Sequence, residues 1–266
     1  MFVSSGEVGV RTARHVSRLG LLAWIGGLLA FSGCDLTGEY DKKFQQALQT
    51  SGLRAKFDQL LKGDEVDVTD SAGQGVGVRL KLPGSVDNSK VKITDKDAQA
   101  QPPFVKLPGL SSTIYRQLDD NGGQFLPVYV YLAAVPKADQ KADALQASLA
   151  QQVAAVAAGA NWTDQSLTSP TGATVALRRL RVEGPQEFMN IPQKKTVKVD
   201  GRFDLYYLDA GNHHVLIGWR APKAQAEKYQ FYDAAEAAMG AITVSQPPPS
   251  AAGAGATPAA GKTACF

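Results

Sequence analysis

One eleven-residue segment constrains the fold more than any other. From Phe125 to Val135 the chain reads Phe-Leu-Pro-Val-Tyr-Val-Tyr-Leu-Ala-Ala-Val. Successive side chains of a strand point to opposite faces, so Val128, Val130 and Leu132 face one way and Tyr129, Tyr131 and Ala133 the other. Both sets are apolar. A strand of that kind has to be covered on both sides. Asn121-Gly122-Gly123 immediately upstream is a strong turn signal and joins it to a strand over Ser112–Leu118.

The covering layers come from two amphipathic stretches. Asp139–Ala157 carries an apolar stripe of Leu145, Leu149, Val153 and Val156, with Gly159 beyond its end. Pro222–Met239 places Phe231, Ala235, Ala238 and Met239 on one side, and Gly240 stops it. The remaining strands are Val76–Leu82, with Val76, Val78, Leu80 and Leu82 alternating against Gly77, Arg79 and Lys81, then Thr174–Val182. A hairpin follows, made of Arg202–Leu208 and His214–Arg220 around Asp209-Ala210-Gly211-Asn212. Glu39–Leu61 reads as two short helices parted at Ser51-Gly52. No internal repeat is evident.

The N-terminus carries a different signal. Arg11, Arg14, His15 and Arg18 precede an apolar run from Leu19 to Phe31, which closes on Phe31-Ser32-Gly33-Cys34. The run fits the hydrophobic part of an export signal and falls short of the roughly 20 residues that span a bilayer. The small-small-Cys ending resembles the lipobox of bacterial lipoproteins, in which the cysteine is acylated before cleavage. Phe31 departs from the leucine commoner at that position. A transmembrane helix with an incidental cysteine, or a plain signal cut nearby, are the other readings. The resemblance implies a lipid on Cys34 and a chain held at the membrane of the cell envelope.

The expected organisation is therefore a signal over residues 1–33, an anchor and helical lead or stalk over 34–75, a folded domain over 76–244, and a disordered Pro/Ala/Gly tail over 245–266. The order of elements from Val76 to Val244 resembles the PsbP-like fold. The resemblance rests on Val78-Arg79-Leu80-Lys81-Leu82-Pro83, the Phe203–Trp219 hairpin and the closing helix into Ala241-Ile242-Thr243-Val244. It implies an α+β fold, an antiparallel sheet sandwiched between helices, in a group of mostly binding or assembly factors. Fold alone does not transfer function.

The chemistry-bearing residues are few. The 28 basic and 25 acidic residues give +3, and the signal holds three of the former and one of the latter, leaving +1. That balance gives no reason to invoke nucleic acid. The two cysteines are Cys34 and Cys265, so a lipidated Cys34 rules out an internal disulfide, and no cysteine metal cluster can be assembled. Ser89-Lys90-Val91-Lys92 matches the Ser-x-x-Lys spacing of penicillin-interacting enzymes, but Val91 and Ile93 alternate like a strand rather than a helix. His213 and His214 are neighbours on a strand and point apart. Gly73–Gly77 lacks the helix start that phosphate binding would use. Arg178, Arg179 and Arg181, with Lys194, Lys195 and Lys198 downstream, could form one basic surface, or a solvated edge that discourages sheet-to-sheet pairing. Asn161-Trp162-Thr163 matches a glycosylation sequon of little meaning in a bacterial lipoprotein.

These readings give a non-enzymatic envelope lipoprotein without cofactor that binds or assembles a protein partner. The second reading is a small-ligand carrier at the membrane surface, favoured if Tyr206, Tyr207 and Trp219 line a cleft. An envelope hydrolase is third, for want of a convergent nucleophile and base.

Overall fold

The computed structural model describes residues 36–86, 92–93, 101–120, 122–190 and 195–245. Two units divide the chain, Met1–Lys43 and Phe44–Phe266. In the first, only the opening residues of a helix are described.

That helix, α1 (Leu36–Leu60), is continuous through Ser51-Gly52, where the sequence predicts a break. A single glycine costs a helix interior only about 1 kcal/mol. The Thr50 hydroxyl donates to the Gln46 carbonyl (2.8 Å) and that of Ser51 to Leu48 (2.9 Å), so neither hydroxyl pulls the backbone out of helix. Only its far end, at Phe57 and Leu60, packs into the core, continued by Leu61 just beyond the helix.

The chain then runs through β1 (Glu65–Thr69), β2 (Gly75–Lys81), β3 (Lys92–Ile93), β4 (Leu110–Asp119), β5 (Phe125–Pro136), α2 (Ala142–Ala154) and β6 (Trp162–Thr168). It continues as β7 (Thr174–Asn190), β8 (Lys195–Ala210), β9 (His213–Pro222), α3 (Lys223–Lys228), α4 (Phe231–Gly240) and β10 (Thr243–Val244). All strand pairings are antiparallel. The large sheet has the order β3-β4-β5-β9-β8-β7-β6, six long strands with the two-residue β3 at one edge. The small sheet has the order β1-β2-β10.

The expected α+β fold, a sheet sandwiched between helices in the PsbP-like manner, does not form. Among the described residues the protein is sheet-dominated, with 46% strand against 27% helix. The large sheet is covered on both faces, but much of one cover is itself a sheet. Val66 and Val68 of β1 and Val76, Val78 and Leu80 of β2 pack with Val128, Val130 and Leu132 of β5, with Phe231 and Met239 of α4 completing the layer. The other face buries Tyr129, Tyr131 and Ala133 beneath Leu145, Leu149 and Val153 of α2 and beneath Val105 and Leu107 of the preceding loop. Leu132 and Tyr131 are both buried and belong to opposite layers.

Two further departures shape the functional surface. β7 and β8 are 17 and 16 residues long and stay paired past Gly184, which adopts φ +130, where the sequence predicts a strand end. Alternation resumes beyond it, with Gln186 and Phe188 buried. The closing helix is broken into α3 and α4 at Gln230, whose φ of 49 is the one positive value at a non-glycine among the described residues.

Candidate functional site

The paired stretches Arg179–Glu183 of β7 and Arg202–Asp204 of β8 carry a charged network into the layer beneath α4. On β7, Arg179 and Arg181 face α4, while Arg178 points to the other face and meets the Gln146 side chain of α2 and Asp164 of β6. The three arginines therefore do not share one surface. On β8, Asp204 is fully buried and lies opposite Arg181 in the ladder. It accepts from Arg181 Nε at 2.8 Å and from Arg202 Nε at 2.9 Å. Glu236 of α4 accepts from Arg179 at 3.1 Å and lies 3.8 and 3.9 Å from Arg181 and Arg202. Glu183 approaches Arg181 at 3.6 Å and Arg202 at 3.8 Å. A buried carboxylate between two guanidinium groups satisfies the rule that interior charge must be paired and hydrogen-bonded.

Arg202 is fixed from two more directions. Its guanidinium lies over the Tyr232 ring at 4.1 Å, and the Tyr232 hydroxyl donates to the Arg202 carbonyl. The same hydroxyl accepts from the Ala221 amide at 3.0 Å, tying α4 to β8 and β9. Burial alone would lower the Arg202 pKa, but the hydrogen bond and charge of Asp204 outweigh it and hold the group above its usual range. Burial pushes the Tyr232 hydroxyl well up, and the Asp204 charge adds to it. Both groups keep fixed protonation states through the physiological range.

Over this platform opens a cleft of about 460 Å³ between the β7–β8 ladder and helices α3 and α4. Exposed Glu183, Asp200, Glu227 and Asp233 rim it, Lys223 is the one exposed basic residue in the lining, and Arg202 and Tyr232 form part of its wall. A second cavity of about 270 Å³ shares Asp200, Lys223 and Glu227 with it. Its wall includes Gln225, which is fully buried, donates through Nε2 to the Gln124 carbonyl at 3.1 Å, and leaves Oε1 without a partner. Both spaces therefore present acceptors. This arrangement can hold a cationic or hydrogen-bond-donating group, and it contains no activated nucleophile.

The histidines lie elsewhere and apart. His213 faces the small-sheet layer, 4.0 Å from Asp70. His214 faces the α2 layer, with Nδ1 at 2.9 Å from Asp209 and 2.8 Å from the Tyr207 hydroxyl, and Nε2 at 3.0 Å from the Gln140 carbonyl. Lys137 completes the group at 3.1 Å from Asp209. Burial raises the Asp209 pKa, but hydrogen bonds from His214, Lys137 and Tyr207 outweigh it and hold the carboxyl below its ordinary value. Both ring nitrogens of His214 are engaged within the protein. The cluster straps the β8–β9 hairpin to the loop after β5.

Other sequence-derived candidates fall outside these sites. Cys34, Ser89, Lys194 and Cys265 lie outside the described residues. Lys92 sits on β3, paired with Ile114. Tyr206 and Trp219 belong to the layer beneath the small sheet and α4, and Tyr207 to the opposite one, so they do not line one cleft. Gly73 forms part of the β1–β2 turn, where its amide donates to the Asp70 carbonyl. Among the described residues no group of three or more His, Cys, Asp or Glu is placed to hold a metal ion, and no helix is long and apolar enough to cross a membrane. The sequence reading missed Asp204, Glu236, Gln225 and Tyr232. The available signal was Arg202-Phe203-Asp204, two charges of opposite sign on one face of an otherwise apolar strand. No protein-family model matches this chain, and no curated protein sequence matches it.

Proposed function

We propose that this chain is a non-enzymatic lipoprotein of the cell envelope, tethered through Cys34, that engages a basic segment of a partner protein in the cleft above Arg202. The observation that carries the reading is the pairing of that cleft with its neighbour. Four exposed carboxylates rim the first, and two of them, Asp200 and Glu227, also line the second together with Asp120. The neutralised, immobilised Arg202 gives the cleft a stiff floor, so little ordering entropy is lost when a ligand docks. The lipobox-like ending at Cys34 supports the location, because acyl chains anchor a protein at a membrane surface.

The test uses the full-length chain purified in detergent micelles and a fluorescently labelled peptide rich in Lys and Arg. Anisotropy should report saturable binding that weakens as salt rises. An Asp200→Asn/Glu227→Gln/Asp233→Asn variant should lose at least tenfold in affinity. Equal binding by that variant, or no binding by the parent chain, overturns the docking reading. Mass spectrometry of the parent chain's N-terminus checks the anchor separately. An unmodified terminus at a residue other than Cys34 would remove it.

A further inference from the structure

The break between α3 and α4 divides two clefts of opposite charge. Tyr232 and Asp233 line the acidic cleft, Tyr229 lines the other, and Gln230 lines both. Gln230 is also the residue at φ 49. A left-handed backbone strains a residue that carries a Cβ, and such strain gathers where a chain is shaped around a ligand. The second cleft holds about 470 Å³ between the end of α1, β4 and this junction. That volume is within the range of ligand sites.

The second cleft is basic. Arg116 of β4 shares a face with Ile114 and Leu118, is partly exposed, and donates through a terminal nitrogen to the Gly84 carbonyl at 3.1 Å. Lys62, just beyond α1, packs against the same glycine, since a Cβ built at Gly84 would lie 3.0 Å from the Lys62 Cβ. Backbone bonds fix this contact, from the Gly63 amide to the Leu82 carbonyl at 3.0 Å and from the Leu82 amide to the Asp64 carbonyl at 2.9 Å. The two cationic side chains therefore start from adjoining points of one wall. No carboxylate pairs with either among the described residues. Asp64 and Glu65, which follow Lys62 closely in sequence, do not line the cleft. Asp119 does, and its charge is already matched. Lys228 donates to one of its oxygens at 2.8 Å and the Tyr229 hydroxyl to the other. Those bonds hold the Asp119 carboxyl below its ordinary value. Phe125, 49% exposed, adds an apolar ring to the lining.

Resting on the docking reading, we propose that the partner segment is dipolar: its basic stretch lies over Asp200 and Asp233, and a carboxylate carried next to that stretch crosses Gln230 to Lys62 and Arg116. Adjacent clefts of opposite charge favour a segment with the matching order of charges. They disfavour a purely basic one, whose excess charge meets Lys62 and Arg116. Arg116 spends one terminal nitrogen on Gly84, which leaves it further donors for a carboxylate.

The experiment is an anisotropy titration of the full-length chain in detergent micelles with three labelled peptides. One is the Lys/Arg-rich peptide alone, and the others carry three glutamates after it or before it. The extended peptides have a lower net positive charge, so an acidic cleft acting alone binds both more weakly. The expected result is that one extended peptide binds at least fivefold tighter than the basic one, about the worth of one net hydrogen bond. In a Lys62→Gln/Arg116→Gln variant that peptide should bind more weakly than the basic one. If the double variant misfolds, Lys62→Gln carries the test, because Lys62 is exposed, and it should cut the gain at least twofold. Binding of the basic peptide with both extended peptides equal or weaker overturns the proposal and leaves the docking reading standing. An unchanged gain in a folded Lys62→Gln variant also overturns it. Absence of binding by the basic peptide overturns the docking reading and the proposal together.

Discussion

Replacing Asp204 with alanine should be among the most damaging single changes away from the apolar core. The carboxylate is fully buried and receives hydrogen bonds from two arginines of 33% and 21% side-chain exposure. Its removal leaves two guanidinium groups facing each other below α4, with only Glu183 and Glu236 at 3.6–3.9 Å to compensate. Breaking a buried ion pair costs about 3–5 kcal/mol because the surviving charge stays in the interior. Water reaches part of both arginines, which places the expected loss near the lower end, about 3 kcal/mol. With a urea slope of about 2–3 kcal/mol/M, the unfolding midpoint should drop by about 1 M or more. Trp219, fully buried and opposite Asp204 in the β8–β9 ladder, is the fluorescent reporter. The control is Arg79→Ala, which removes an exposed ion pair with Asp67 and should cost less than about 1 kcal/mol. Replacing the whole triad, as Arg181→Met, Asp204→Leu and Arg202→Met, should recover much of the stability, since no charge is then stranded. The reasoning fails if Asp204→Ala costs no more than Arg79→Ala, or if the apolar triad is as unstable as the single variant.

Two other perturbations test separate parts of the fold. Gly109 adopts φ +66 and its missing Cβ would run into the Ala134 carbonyl oxygen, so Gly109→Ala should lower the thermal midpoint by several degrees. Gly73→Ala, at φ +81 with open space around it, should cost only about 1 kcal/mol. On alkaline titration, Tyr131 stays neutral to about 12 in the folded chain against an ordinary 10.0. Between those values the unfolded chain gives up a proton that the folded chain retains, so stability is intact below pH 10 and declines toward pH 12. Burial also raises Tyr129, Tyr206 and Tyr207. Absorbance at 295 nm should therefore show most tyrosines ionising together with unfolding, and a gradual rise before any loss of structure would contradict the buried assignments.

The parts of the fold visible in the sequence were those with long, regular periodicity. β5 announced its two-sided burial through eleven consecutive residues, and the β8–β9 hairpin and α2 were visible for the same reason. β1 was missed because Glu65-Val-Asp-Val-Thr69 offers only two apolar residues, too few to separate from a polar loop. β6 is mostly exposed and polar, with an outward burial pattern that leaves no alternation to read. Missing β1 was decisive, since it joins β2 and β10 in the layer that replaces the expected helices. The apolar alternation of β2 was correct but did not identify which layer it belonged to. A strand buried on one face reads the same whether it lies in a central sheet or covers one.

The functional residues were hidden for a different reason. Arg181 and Asp204 are 23 positions apart, and only the register of β7 on β8 brings them together. Nothing local to Arg178-Arg179-Leu180-Arg181 indicates that its charges divide between two faces, with one set neutralised from a neighbouring strand and a helix. The same holds for Gln186 and Arg220, joined across 34 positions. What the sequence did contain was an anomaly of placement: Arg202, Asp204 and Arg220 interrupt the two most apolar stretches of the C-terminal half. A charge inside a buried strand is costly unless something pairs with it. For Arg202 and Asp204 the pairing is internal and builds a rigid floor. For Arg220 the internal partners are an amide, a carbonyl and three rings, which offset part of the cost of burying the cation.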